Sequence, residues 1–147
     1  MENPLLERTG FQDNYFGSDG FGNLSYILTP IEASIESEHG VLAITRLIKM
    51  YPKQITLMTL GPMTNLAMAV QLDQSLSYNL AQIVSIGGLL DHLGNVLPDT
   101  EFNLMNDPES VDMVLKKSYC PLTFVTWDVA SRHIISRVNL NIKCFTV

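Results

Sequence analysis

The chain has 147 residues, 46% of them hydrophobic and 16% charged, which is enough for one domain with a sizeable core and excludes a disordered polyelectrolyte. Its formal net charge of −6 argues against a nucleic-acid backbone as partner, because that binding relies on clustered Lys and Arg to release counterions. The opening Met1–Arg8 has no long apolar run, so neither a signal peptide nor a membrane span is expected and a cytoplasmic protein is.

Residues 1–30 carry loop chemistry, with Gly17, Gly20 and Gly22 inside Asp13–Asn23 and Pro30 closing the segment. No strand precedes these glycines and no helix follows at once, so a phosphate-binding fingerprint is not supported. Asn23-Leu24-Ser25 fits a glycosylation triplet that would matter only in a secreted protein. From about Ser37, Val41, Ile44, Leu47 and Ile48 recur at helical intervals up to Tyr51-Pro52, which predicts a first helix with His39 as a surface or capping residue before it. Ile55–Leu60 is a short apolar run stopped by Gly61-Pro62 and predicts a buried strand. Thr64 or Asn65 then caps a helix to about Gln71, and a short helix follows over Ser75–Ala81. Gln82–Ile86 is a second strand, ended by Gly87-Gly88. Asp107-Pro108 opens a helix carrying Val111, Val114 and Leu115 and closing at Lys116-Lys117, with the cap, the proline and the cations each where helix ends favour them. Leu122–Asp128 is the third strand.

Strand and helix alternate, so the fold class is α/β: a parallel-rich open sheet with helices on its faces, whose ligands bind outside the carboxyl ends of the strands. Those ends are Leu60-Gly61, Ile86-Gly87-Gly88 and Trp127-Asp128. Residues 134–147 form a divergent tail with Ile134, Ile135, Val138, Leu140, Ile142, Phe145 and Val147 and no cap or turn. Three strands leave open edges, so the chain is expected to be an incomplete piece of a larger sheet. Cys120 and Cys144 have no metal-ligand or redox spacing and read as buried or free thiols of a reducing compartment.

Between the second strand and the Asp107 helix lies the chemistry. Gly94–Pro108 is predicted to be a loop in which Asn95, Glu101, Asn103, Asn106 and Asp107 alternate with Val96, Leu97, Phe102 and Leu104. In an extended segment Glu101 and Asn103 project to one side and Phe102 to the other, into the protein. One carboxylate with neighbouring amides can bond vicinal hydroxyls, which suits a sugar better than a phosphate. The same residues also read as turn chemistry at Gly94-Asn95 and Pro98-Asp99. His92 either belongs to this site or faces solvent, and His133 is read as structural.

Leu60-Gly-Pro-Met-Thr-Asn-Leu-Ala67, Ile86-Gly-Gly88 and Gly94-Asn-Val-Leu-Pro-Asp-Thr-Glu-Phe-Asn-Leu-Met-Asn-Asp-Pro-Glu109 together resemble, in order and spacing, the inosine-uridine preferring nucleoside hydrolase family. The likeness covers about residues 4–133, and residues 1–133 would be the central part of such a domain. It implies a calcium-dependent enzyme that cleaves the N-glycosidic bond of ribonucleosides to base and ribose, with an inosine- or uridine-type substrate and, for a full-length form, scope for a homo-oligomer. By position, the resemblance makes the Leu60 carbonyl a metal ligand, Asn95, Glu101 and Asn103 the ribose-binding residues, and Ile86 an apolar neighbour of the sugar. Phe16 stands where members often have histidine. No Asp-x-Asp-x-x-x-Asp-Asp run and no late His-Asp pair occurs in the sequence. The metal ligands, general base and leaving-group acid are therefore absent from this chain, so no catalytic residue is assigned and the chain alone is not expected to retain calcium. Two expectations follow: a catalytically incomplete nucleoside hydrolase, or a non-catalytic remnant acting as a sugar-binding or interaction module.

Overall fold

The computed structural model describes residues 4–6, 17–19, 22–23 and 36–133. Phe16, Gly20, Leu24, Ser25, Cys144 and the rest of the 134–147 tail lie outside them. Within the described residues the order is α1 Gly40–Met50, β1 Thr56–Thr59, α2 Thr64–Leu72, α3 Leu76–Asn79, β2 Gln82–Ile86, α4 Phe102–Asn106, α5 Pro108–Lys117, β3 Leu122–Val125 and α6 Trp127–Arg132. The three strands are parallel in the order β1-β2-β3. Leu57, Ile83 and Leu122 lie level with one another, as do Met58, Val84 and Thr123.

Side-chain alternation along those rows separates two faces. Ile83 is fully buried, and Leu57, Leu122 and Phe124 pack on the same core as Val41 and Ile48 of α1, Leu66, Ala67 and Val70 of α2, Leu76 of α3 and Val111 and Val114 of α5. The other face carries Met58, 61% exposed, beside Val84 and Thr123, and contributes nothing to the buried core. The parallel sheet with flanking helices of the expected α/β class is thus formed, and the helices that build the core, α1, α2, α3 and α5, lie on one of its faces. The buried strand expected at Ile55–Leu60 is corrected: Thr56 and Met58 are exposed, because among the described residues β1 is an edge strand paired with β2 alone and its Met58 face lies away from the core.

Local signals set most boundaries. His39 caps α1, its Nδ1 accepting from the Val41 amide at 3.3 Å. Asp107 caps α5 through Ser110 N at 3.0 Å, with Pro108 as the first helical residue and Lys116 and Lys117 in the last turn. Two ends differ from expectation. Thr64 is the first residue of α2 and not its cap; Met63 holds the cap position without a side-chain bond, and the Thr64 hydroxyl instead donates to Asp107 Oδ2 at 2.5 Å. The third strand stops at Val125, and Trp127-Asp128 open α6. Among the described residues no helix is long and apolar enough to cross a membrane. Cys120 is a buried free thiol, its pKa pushed up by burial.

Candidate functional site

Because the strands are parallel, Leu60-Gly61, Ile86-Gly87-Gly88 and the start of α6 emerge at one end of the sheet, as expected. The β2–β3 ladder continues past the strands: Gly87 N donates to Val125 O at 3.1 Å and Trp127 N to Gly88 O at 2.9 Å. A Cβ on Gly87 would overlap Leu104 Cδ1 and lie 3.2 Å from Glu101 Oε2, so a side chain there would push aside the Leu104 and Glu101 side chains that close on the strand end.

Glu101 is the hub of this end. It is 6% exposed, and its carboxylate accepts from three main-chain amides: Asn103 N at 3.0 Å on Oε1, and Leu104 N at 3.1 Å and Gly88 N at 3.2 Å on Oε2. Two of those amides open α4, so Glu101 is its N-cap. The third belongs to the residue leaving β2. A carboxylate offers about four acceptor positions; the three amides leave one.

The loop expected over Gly94–Pro108 thus contains a helix, and that corrects the side-chain directions. At about 3.6 residues per turn, Glu101 and Asn103 no longer project together. Asn103 Nδ2 donates to Ile86 O at 3.0 Å, and Asn95 Oδ1 accepts from Phe102 N at 2.9 Å. Leu104, not Phe102, packs on the core; Phe102 is half-buried. These backbone partners fix which way each amide points, and they leave the Asn95 Nδ2 donor and the Asn103 Oδ1 acceptor without a bond among the described residues.

Beside Glu101 opens a cavity of about 560 Å³. Gly88, Leu90, His92, Asp99, Glu101 and Met105 are among its walls, whereas Asn95 and Asn103 are not, so the cavity shared by Glu101 and Asn103 that alternation implied is not formed. His92 sits at the mouth with its side chain 87% exposed, its Nδ1 donating to Asp99 Oδ1 at 2.7 Å. Asp128 of α6 accepts from Leu90 N at 2.7 Å and Asp91 N at 3.0 Å. The Leu90 amide bond, aided by that of Asp91, outweighs the effect of burial and holds the Asp128 carboxyl below its ordinary pKa. His133 ends α6 with Nδ1 donating to Val129 O at 2.8 Å, a structural role as expected.

A family description, Inosine-uridine preferring nucleoside hydrolase, matches residues 1–143. The chain belongs to this family. It is 41% identical to the probable uridine nucleosidase 2 of Arabidopsis thaliana over 102 residues, which are 69% of this chain and 31% of that protein. With the inosine-uridine preferring nucleoside hydrolase of Leishmania major it shares 35% over 117 residues, 79% of this chain and 37% of that one. Among solved structures, the purine-preferring ribonucleoside hydrolase from Gardnerella vaginalis superposes with a TM-score of 0.82 at 25% identity, covering 92% of this chain and 43% of that one. The chain thus spans about a third of the length of the curated relatives it matches.

The fit to calcium can be judged from the donors. Such an ion takes about six to eight oxygens, several of them usually carboxylate, and no group of three His, Cys, Asp or Glu among the described residues could hold a metal. Even with the Leu60 carbonyl, the described residues do not make a calcium site. Sequence reasoning missed the part played by Asp128, although Thr126-Trp127-Asp128, a capping residue with an acid two places on, was a legible helix start.

Proposed function

We propose that these residues form the ribose-holding wall of a nucleoside hydrolase site, and that this chain by itself binds ribonucleosides without cleaving them. The observation that carries the reading is the polar capacity left over at one end of the sheet. Among the described residues Glu101 keeps one acceptor position, Asn95 a donor and Asn103 an acceptor, each on a side chain already locked by a backbone bond. Locked donors and acceptors of both kinds match adjacent hydroxyls, each of which gives one hydrogen and accepts another. The cavity that Glu101 lines, without Asn95 or Asn103, is about 560 Å³, within the usual range for a small-molecule site.

In glycosyl transfer the sugar becomes cation-like, and hydroxyl contacts that tighten at the transition state lower the barrier. In a complete site Glu101 would act in this way, bonding a ribose hydroxyl. Water activation and departure of the base need a general base and acid that are not found among the residues assigned here. Loss of general-base catalysis alone costs about 10²–10⁴-fold. The relatives are named for uridine, inosine-uridine and purine preference, so family likeness favours no base.

The test is to purify the 147 residues and follow base release from inosine and uridine with and without calcium, alongside calorimetric titration of the same nucleosides. Binding without release is expected. Calcium-dependent turnover would show that other groups, such as Asp91, Asp99 or His92, complete a catalytic site; absence of any nucleoside affinity would remove the sugar-binding role.

A further inference from the structure

The four residues from Gly88 to Asp91, just after β2, are held at both ends by buried acids, one at the N-cap of α4 and one in α6. Gly88 N donates to Glu101 of α4, while Leu90 N and Asp91 N donate to Asp128 of α6. Trp127, next to Asp128, adds its amide to the Gly88 carbonyl at 2.9 Å. Arg132, one turn further along α6, pairs with the Asp91 carboxylate. Every one of these contacts joins α6 or α4 to the same short segment, and Gly88, Leu89 and Leu90 of that segment line the cavity.

Leu90 is 70% exposed, so packing does little to hold that end of the wall in place. Its position depends on the hydrogen bonds, and two of its three carboxylate-held amides end on Asp128. Asp128 is 6% exposed and is not itself among the residues lining the cavity.

We propose that Asp128 is a positioning residue of the site: its carboxylate fixes the Leu90-Asp91 segment, of which Leu90 lines the cavity, and thereby sets nucleoside affinity without touching the ligand. The affinity half of this inference rests on the sugar-binding reading above. The clamp half does not. Replacing Asp128 by Ala removes both acceptors. Replacing it by Asn keeps one carbonyl oxygen and turns an NH₂ group toward the other amide, so it releases one of the two.

The experiment uses the full chain, ¹⁵N-labelled, as wild type, Asp128→Ala and Asp128→Asn. Amide exchange is read residue by residue, and uridine is titrated by calorimetry. In the wild type the Leu90 and Asp91 amides are expected to be protected. In Asp128→Ala both should exchange at least about tenfold faster, as loss of a charge-assisted bond implies, while Ile83 and Val84 in β2 keep their protection. Asp128→Asn should free one amide, and uridine should bind about tenfold more weakly to the alanine variant, the factor that about 1.4 kcal/mol of lost preorganisation gives. Unprotected Leu90 and Asp91 amides in the wild type would overturn the clamp, and that comparison stands even if the alanine variant fails to fold. Uridine bound equally well by a variant with both amides released would overturn the link to affinity. Should the wild type bind no uridine, the sugar-binding reading fails with the affinity link, and exchange alone decides the clamp.

Discussion

Glu101 can be tested by graded removal of its acceptors. Glu101→Ala deletes the N-cap of α4, worth about 1 kcal/mol in typical hosts. It also strips the partner from Gly88 N, where an unsatisfied buried amide costs about 1–3 kcal/mol. The sum is a destabilisation of about 2–4 kcal/mol. Glu101→Gln differs in kind. Its carbonyl oxygen can take the Oε2 place and keep Gly88 N and Leu104 N, and only Asn103 N, bonded at 3.0 Å to Oε1, then faces an NH₂ group. One lost bond to a charged group corresponds to about 1.5–3 kcal/mol, and the glutamine variant should lie toward the lower end because the other amides stay satisfied. Urea unfolding followed by Trp127 fluorescence, with linear extrapolation to water, measures all three proteins. An alanine variant within about 0.5 kcal/mol of wild type, the usual effect of an unimportant surface change, would refute the hub role. So would a glutamine variant as unstable as the alanine one.

Asp107 offers a second test: it is fully buried and accepts from Thr64 Oγ1, Ser110 N and Leu5 N, so Asp107→Ala should cost about 3 kcal/mol in the same unfolding assay, from a lost cap and orphaned donors. A much smaller cost would mean these bonds do not join α2 to α5. The ion pair with Lys49, first, and the Ser75 bonds hold the Asp73 pKa at about 2, against an ordinary 3.8. A depressed folded-state pKa stabilises above the unfolded value, so this contribution is complete above pH 3.8 and disappears as pH falls toward 2. In Lys49→Met the carboxyl resonance of Asp73 should titrate at higher pH; an unmoved titration would assign the shift elsewhere. At Gly94 an added Cβ would overlap the Leu97 carbonyl oxygen and sit 2.7 Å from Thr100 N. Gly94→Ala should therefore break the Asn95 N to Thr100 O bond of 3.1 Å and shift the 94–100 resonances, while retained wild-type shifts would show that the turn yields cheaply.

Where a structural decision is local, the sequence showed it. Asp107-Pro108 and Lys116-Lys117 bracket α5 because cap, proline and terminal charges act within one turn, and Gly87-Gly88 ends β2 where the backbone must let α4 approach. The 101–106 stretch was misread because its alternation of polar and apolar residues imitates a strand. The outcome is decided by partners far along the chain: Ile86 O holds Asn103, Gly88 N holds Glu101, and the core takes Leu104. Asn95, Glu101 and Asn103 were singled out by type and order, but the directions of their side chains were not legible. Asp128 was assigned to a strand end because its role lies in amides 37 and 38 residues away, a pairing that no local pattern encodes.

The central claim is that nucleosides bind by their ribose at the carboxyl end of this sheet. It is tested most directly by titrating uridine and free ribose into the ¹⁵N-labelled chain and mapping the shifted resonances. The account predicts saturable shifts with both ligands at Gly87, Gly88, the Asn95 and Asn103 side-chain amides and Glu101–Leu104, and their loss in Glu101→Gln. No saturable shift, or shifts confined to the stacked Tyr78–Tyr119 pair where β2 and β3 begin, would contradict it.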